Sequence, residues 1–134
     1  MKKLIVLLFL FVTTSGYCQI IYLPDDQLLD LLCKSWNLKY GLLDGNNIGG
    51  LENISDMYEF KRDNTYTINS AGSSYSIGTW KYNVEQKRVE LYKEEGFSSG
   101  YITILDNKEL ILIPGRDNAD PNHTVELFFE ASNQ

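Results

Sequence analysis

The side chains of this chain that could do covalent chemistry are few and scattered. His123 is the only histidine, and it sits in an Asp-Pro-Asn-His run ahead of Thr124. A general base needs a nucleophile or a proton donor within hydrogen-bond reach. No such partner stands at a recognisable spacing, so His123 reads as a plain surface residue. Glu94 and Glu95 are adjacent, and neighbours on a strand point to opposite sides. Gly96 follows them, so the pair reads as a solvated turn rather than an acid dyad. Asp117, Asn118, Asp120 and Asn122 make an oxygen-rich loop of the kind that suits Ca²⁺. The EF-hand spacing and its terminal bidentate glutamate are absent, so a polar turn is expected and no metal site. Nucleophile-elbow, zinc-protease and phosphate-loop motifs are all missing. The expectation is a protein that is not an enzyme and carries no cofactor.

What the chain does carry in quantity is aromatic surface. Tyr58, Phe60, Tyr66, Trp80, Tyr82 and Phe129 fall on the same alternation phase of their segments. Tyrosine and tryptophan join an apolar body to a polar tip, which suits an amphipathic guest. These six are the expected walls of a site for a small apolar or amphipathic ligand. The same six residues also suit a plain core, which would leave a side-chain-filled interaction module working through its surface. Interior volume separates the two readings, because ligand pockets begin at roughly 300 Å³.

The elements that must position these residues are short strands. Alternating segments run over 36–40, 57–61, 65–70, 75–83, 88–93, 100–105, 109–113 and 124–131. Tight-turn chemistry joins most of them: Asp63-Asn64, Ala71-Gly72, Glu85-Gln86 and Asp106-Asn107. Eight strands joined in this way predict an all-β, up-and-down antiparallel barrel. Residues 24–33 predict a short N-terminal helix, with Pro24, Asp25 and Asp26 at its start and leucines at 28, 29, 31 and 32. Residues 41–55 predict a long glycine-bearing loop, a candidate lid over the ligand. The inward face takes Tyr58, Phe60, Tyr66, Ile68, Val89, Leu91, Val125, Leu127 and Phe129. The apolar phase flips between Tyr75-Ile77 and Trp80-Tyr82, which predicts a bulge or bend at Gly78. Segments 100–105 and 109–113 are apolar on both faces, so their outer side needs a cover: the helix or a partner. Trp36 and Trp80 are expected to be buried and to seal one end.

The first residues read as an export signal. Lys2 and Lys3 are followed by an unbroken apolar run over 4–12 and then by small polar residues. That is a secretory pattern, and the run is far short of a membrane-spanning helix. Small residues at Gly16 and Cys18 favour cleavage after Cys18. This gives a signal peptide over 1–18 and a domain over 19–134, secreted or periplasmic. The alternative is an outer-membrane lipoprotein held through a lipidated Cys18. The mature chain would retain Cys33 alone, so no internal disulfide is expected, and Cys33 reads as a structural thiol. The whole chain carries a net charge of −6, and losing Lys2 and Lys3 makes the remainder more acidic still. An acidic surface disfavours nucleic acid and anionic membranes as partners.

One resemblance bears on the fold. Leu32-Cys33-Lys34-Ser35-Trp36 opens the first strand, Tyr58 to Thr67 forms a Phe-Lys-Arg-Asp-Asn-Thr-Tyr hairpin, and Gly78-Thr79-Trp80 follows. These motifs resemble those of the lipocalin-like domain proteins secreted by Bacteroidetes. Lys34 and Asn64 replace the glycines usual in the first motif and in the hairpin. The resemblance spans roughly 32–130 and implies a lipocalin-type barrel, with no single activity attached.

Overall fold

The computed structural model describes residues 25–71, 73–93, 96–115 and 122–133. The proposed signal segment 1–18, Glu94, Glu95, Asp117, Asn118 and Asp120 lie outside the described residues. Within the described residues the chain forms one short α-helix, α1 (Asp25–Leu32), and nine strands. They are β1 (Ser35–Leu43), β2 (Asn46–Asn47), β3 (Met57–Phe60), β4 (Thr65–Ser70) and β5 (Ser73–Asn83), then β6 (Arg88–Lys93), β7 (Ser98–Leu105), β8 (Glu109–Pro114) and β9 (Val125–Ala131). From β3 to β9 each strand pairs with the next, all antiparallel. β1 pairs with β3 on one side and with β9 on the other, from Trp36↔Ala131 to Leu43↔Val125. The result is a closed eight-stranded antiparallel barrel, with β2 as one extra strand against β1. Closure removes the unpaired strand edges that an open sheet would present.

The interior follows from the alternation. Phe60, Tyr66, Val89, Leu91 and Phe129 are buried, and Tyr58, Ile68 and Leu127 pack half-buried against them. Ile102, Leu110 and Leu112 complete the cluster from β7 and β8. Arg88, Glu90 and Tyr92 take the opposite phase of β6. There Glu90 accepts from Tyr92 Oη at 2.6 Å, Arg88 Nε at 3.1 Å and Asn83 Nδ2 at 3.1 Å.

Helix α1 closes one end. Its two acidic residues stand in its first turn, where the helix dipole favours negative charge. Leu28 and Leu32, one turn apart, are 3% and 0% exposed. Burying a leucine contributes about 1.5–3 kcal/mol. Directly below, Trp36 Nε1 donates to Leu32 O at 3.0 Å, and Trp80 Nε1 donates to Lys61 O at 3.0 Å. Both indoles are buried, each with its polar tip satisfied. The Arg62 guanidinium pairs with Asp30 on the outside, tying the β3–β4 turn to the helix.

Three expectations need correction. Segment 41–55 is not a long loop. β1 runs on to Leu43, turns at Asp44-Gly45 into β2, and a 3-10 turn at Leu51–Asn53 packs back beside β1. Gly41 lies inside β1, and a Cβ there would sit 2.6 Å from Leu51 Cδ1, so this glycine serves close packing rather than hinging. The bulge in β5 is not at Gly78. The register steps from Thr67↔Ile77 to Ile68↔Tyr75, which leaves Ser76 as the extra residue. Gly78 pairs regularly with Tyr66, and its missing side chain makes room for that ring: a Cβ would lie 2.5 Å from Tyr66 Cε1. The helix does not cover the outer face of β7 and β8. Its leucines join the interior cluster, while Ile111, in register with Ile104 and Phe128, lies outside that cluster and is 7% exposed.

Candidate functional site

The end of the barrel away from α1 is its mouth. There the interior is incompletely filled by the described residues. A cavity of about 150 Å³ opens at this end. Tyr58, Ile68, Leu91 and Leu112 supply its apolar wall. Tyr66, Ser99 and Lys93 supply its polar groups.

Local strand geometry accounts for each polar group. Tyr66 pairs with Phe60 and Gly78, and its ring passes over the bare Gly78 backbone. Its hydroxyl reaches Ser99 Oγ at 2.7 Å. Ser99 owes its position to a bulge. The β6–β7 register passes from Leu91↔Gly100 to Tyr92↔Ser98, and Ser99 is the residue left over. Bulges re-aim side chains in this way. Lys93 continues the inward phase of Val89 and Leu91, one step nearer the rim, and is exposed there. Burial pushes the Tyr66 phenol above its ordinary pKa, with the Ser99 hydrogen bond pulling the other way.

The six residues expected to line one site are divided between two levels. Tyr58, Phe60, Tyr66 and Phe129 come together as a ring cluster. Tyr58 meets Phe129 edge-on at 4.9 Å and Tyr66 at 6.3 Å, and Phe60 lies 5.7 Å from Tyr66. Phe60 and Phe129 are 2% exposed and act as floor. Trp80 and Tyr82 stand at the other end, beside α1, in a groove of about 280 Å³ shared with Asp25, Leu28, Leu29 and Asn64. That groove is larger but more open. Leu28 and Trp80 barely reach its surface, at 3% and 4% exposure. No residue of 41–55 lines the mouth cavity, so the expected lid is not over it. Sequence reasoning passed over Lys93 and Ser99. The phase of Lys93 was visible in Val89-Glu90-Leu91-Tyr92-Lys93, whereas nothing in the sequence marks the bulge at Ser99.

His123 and Cys33 do not line the mouth cavity. His123 Nδ1 lies 2.5 Å from Asp44 Oδ2, and the same carboxylate accepts from Thr124 N at 2.7 Å. Asp44 N donates back to Thr124 O at 2.9 Å, so His123 belongs to a clasp between the β1–β2 turn and the start of β9. Cys33 is a free, half-buried thiol whose pKa burial raises, which disfavours the reactive thiolate. Among the described residues no three His, Cys, Asp or Glu gather as a metal site, and no helix is long and apolar enough to cross a membrane. Compared with protein-family models, with curated proteins and with solved structures, the chain finds no match in any of the three.

Proposed function

We propose that this chain is an exported, lipocalin-like barrel that binds a small apolar or amphipathic guest at its mouth and does no catalysis. The observation that carries this reading is the mouth cavity, an apolar pocket of about 150 Å³ with three polar groups converging on it. A cavity of that size holds a single ring, as an engineered apolar cavity of roughly 150 Å³ holds benzene. It is well below the roughly 300 Å³ at which drug-sized pockets begin. The guest is therefore small, and a long acyl chain is excluded by the buried floor of Phe60 and Phe129. The export part of the reading rests on the Lys2-Lys3 and apolar pattern of the first residues.

The filled-barrel reading keeps one supporting observation. On the outer face of the β1–β9 seam, Tyr40 and Phe128 stack at 4.5 Å, and Tyr40 is 41% exposed. Exposed aromatic pairs of this kind suit protein contacts.

Calorimetric titration with benzyl alcohol and with oleate tests the proposal. The expected result is saturable, one-to-one binding of benzyl alcohol, none of oleate, and loss of the benzyl alcohol signal in a folded Ile68→Phe variant whose added ring fills the cavity. Tight oleate binding, or benzyl alcohol binding undiminished in Ile68→Phe, would overturn it.

A further inference from the structure

The mouth cavity has a hydrogen-bonding preference built into its wall. Tyr66 and Ser99 both line it, and their hydroxyl oxygens are 2.7 Å apart. Each hydroxyl carries one hydrogen, and the bond between them uses one of the two. Whichever residue donates, the second hydrogen finds no acceptor among the described residues. Both groups are held in place: Tyr66 is 1% exposed, and Ser99 stands on the bulge of β7. A hydroxyl that already accepts is polarised by doing so and donates more strongly. Lys93 also stands at this wall, but it has an interaction of its own and supplies no part of the proposed contact. Once water leaves such a wall, a donor hydrogen without a partner is tolerated less well than an oxygen with a spare lone pair.

We propose that the guest of this cavity is a small uncharged carbonyl compound, with its apolar body against Ile68, Leu91 and Leu112 and its carbonyl oxygen accepting from the Tyr66–Ser99 hydroxyl pair. The inference rests on the mouth being a binding site, as proposed above, and adds the chemical class of what it takes. Size fixes the body: about 150 Å³ admits one ring or a short branched chain. The hydroxyl pair fixes the head. A guest that fills the cavity expels water from the pair. A hydrocarbon would then leave the second hydrogen without an acceptor. A carbonyl oxygen takes the place of that water and brings no further hydrogen to be satisfied. One hydrogen is enough for a neutral oxygen. A carboxylate, with about four lone-pair sites, would be stripped of water against an apolar wall with most of them unmet, which is costly for a charged group.

The experiment compares acetophenone with α-methylstyrene, a molecule of nearly the same shape with a methylene group in place of the carbonyl oxygen. Both are titrated into the purified protein and into the double variant Tyr66→Phe, Ser99→Ala. Removing both partners of a hydrogen bond leaves no orphaned group, so folding is expected to survive, and circular dichroism checks it. Acetophenone should bind the double variant about fivefold more weakly, the size of one neutral hydrogen bond. α-Methylstyrene should bind it at least as well as the unaltered protein. The infrared carbonyl band of bound acetophenone should lie below its position in hexane, where nothing donates to it, and should return towards that position in the double variant. Acetophenone binding undiminished in the double variant, or a band at the hexane position in the unaltered protein, would overturn the carbonyl assignment and leave the mouth site standing. The band in the unaltered protein decides the matter even if the double variant does not fold. Failure of acetophenone, α-methylstyrene and benzyl alcohol alike would overturn both.

Discussion

The two ends of this barrel are built from similar residue types and are packed differently. At the α1 end, Leu28, Leu32, Trp36 and Trp80 are at most 4% exposed, and both indole N–H groups find backbone carbonyls at 3.0 Å. At the mouth, Tyr58 and Ile68 are only half-buried, Lys93 is exposed, and a cavity of about 150 Å³ remains. Close-packed interiors forfeit dispersion and hydrophobic energy wherever a void persists. The buried leucines and indoles at the base therefore contribute stability that the mouth does not, and the mouth is where the proposed guest would sit.

The sharpest way to break this comparison is to remove the base. Trp36→Ala should cost about 3–5 kcal/mol in urea unfolding, because it deletes the largest fully buried side chain together with its hydrogen bond to Leu32 O. Ile68→Phe at the mouth should shift the same midpoint by less than about 1.5 kcal/mol, since it adds atoms where space exists. Comparable losses at the two ends would erase the distinction between base and mouth.

A middle-sized effect lies at the level between them. Gly78→Ala places a Cβ 2.3 Å from Tyr92 O and 2.5 Å from Tyr66 Cε1. Tyr66 must shift, at a cost of about 1–3 kcal/mol. The Tyr66–Ser99 hydrogen bond should be lost with it, so guest binding should weaken although residue 78 does not line the cavity. Unchanged stability and binding would mean that the ring does not rest on that backbone.

The smallest effect is a pH dependence. The Tyr66 phenol is raised in the folded state, chiefly by burial. The folded protein thus keeps this proton to higher pH than the unfolded chain. The associated stability is fully present below the ordinary phenol value of about 10 and is lost as pH rises through the raised folded value. Tyr92 contributes in the same direction, through its hydrogen bond to Glu90 first and burial second. Tyr66→Phe should cost about 1 kcal/mol at neutral pH and flatten the alkaline decline. An identical alkaline decline in wild type and variant would place that phenol in solvent.

What could be read ahead of the structure has a physical boundary. Period-two alternation states whether a side chain points in or out, and Phe60, Tyr66, Val89, Leu91 and Phe129 all point where it says. It does not state depth along the barrel axis. Hence Trp80 and Tyr82 shared a phase with Tyr58 and Tyr66 yet stand by the helix rather than at the mouth. Bulges defeat the reading further, because one extra residue is invisible to composition. Ser76, Ser99, Lys39 and Thr103 are each skipped in a ladder without a local signal. Segment 41–55 misled because its glycines and asparagines have the composition of a loop, while β1 needs Gly41 only to let Leu51 approach. Lys93 was legible by phase and overlooked because it is charged.

The most direct measurement is a backbone-amide NMR titration with benzyl alcohol, which reports on both ends at once. The account predicts saturable shifts at Ile68, Leu91, Ser99 and Leu112, with Leu28, Leu32 and the residues of α1 unmoved. Shifts centred on α1, Asn64 and Tyr82, or no saturable shift anywhere, would contradict it.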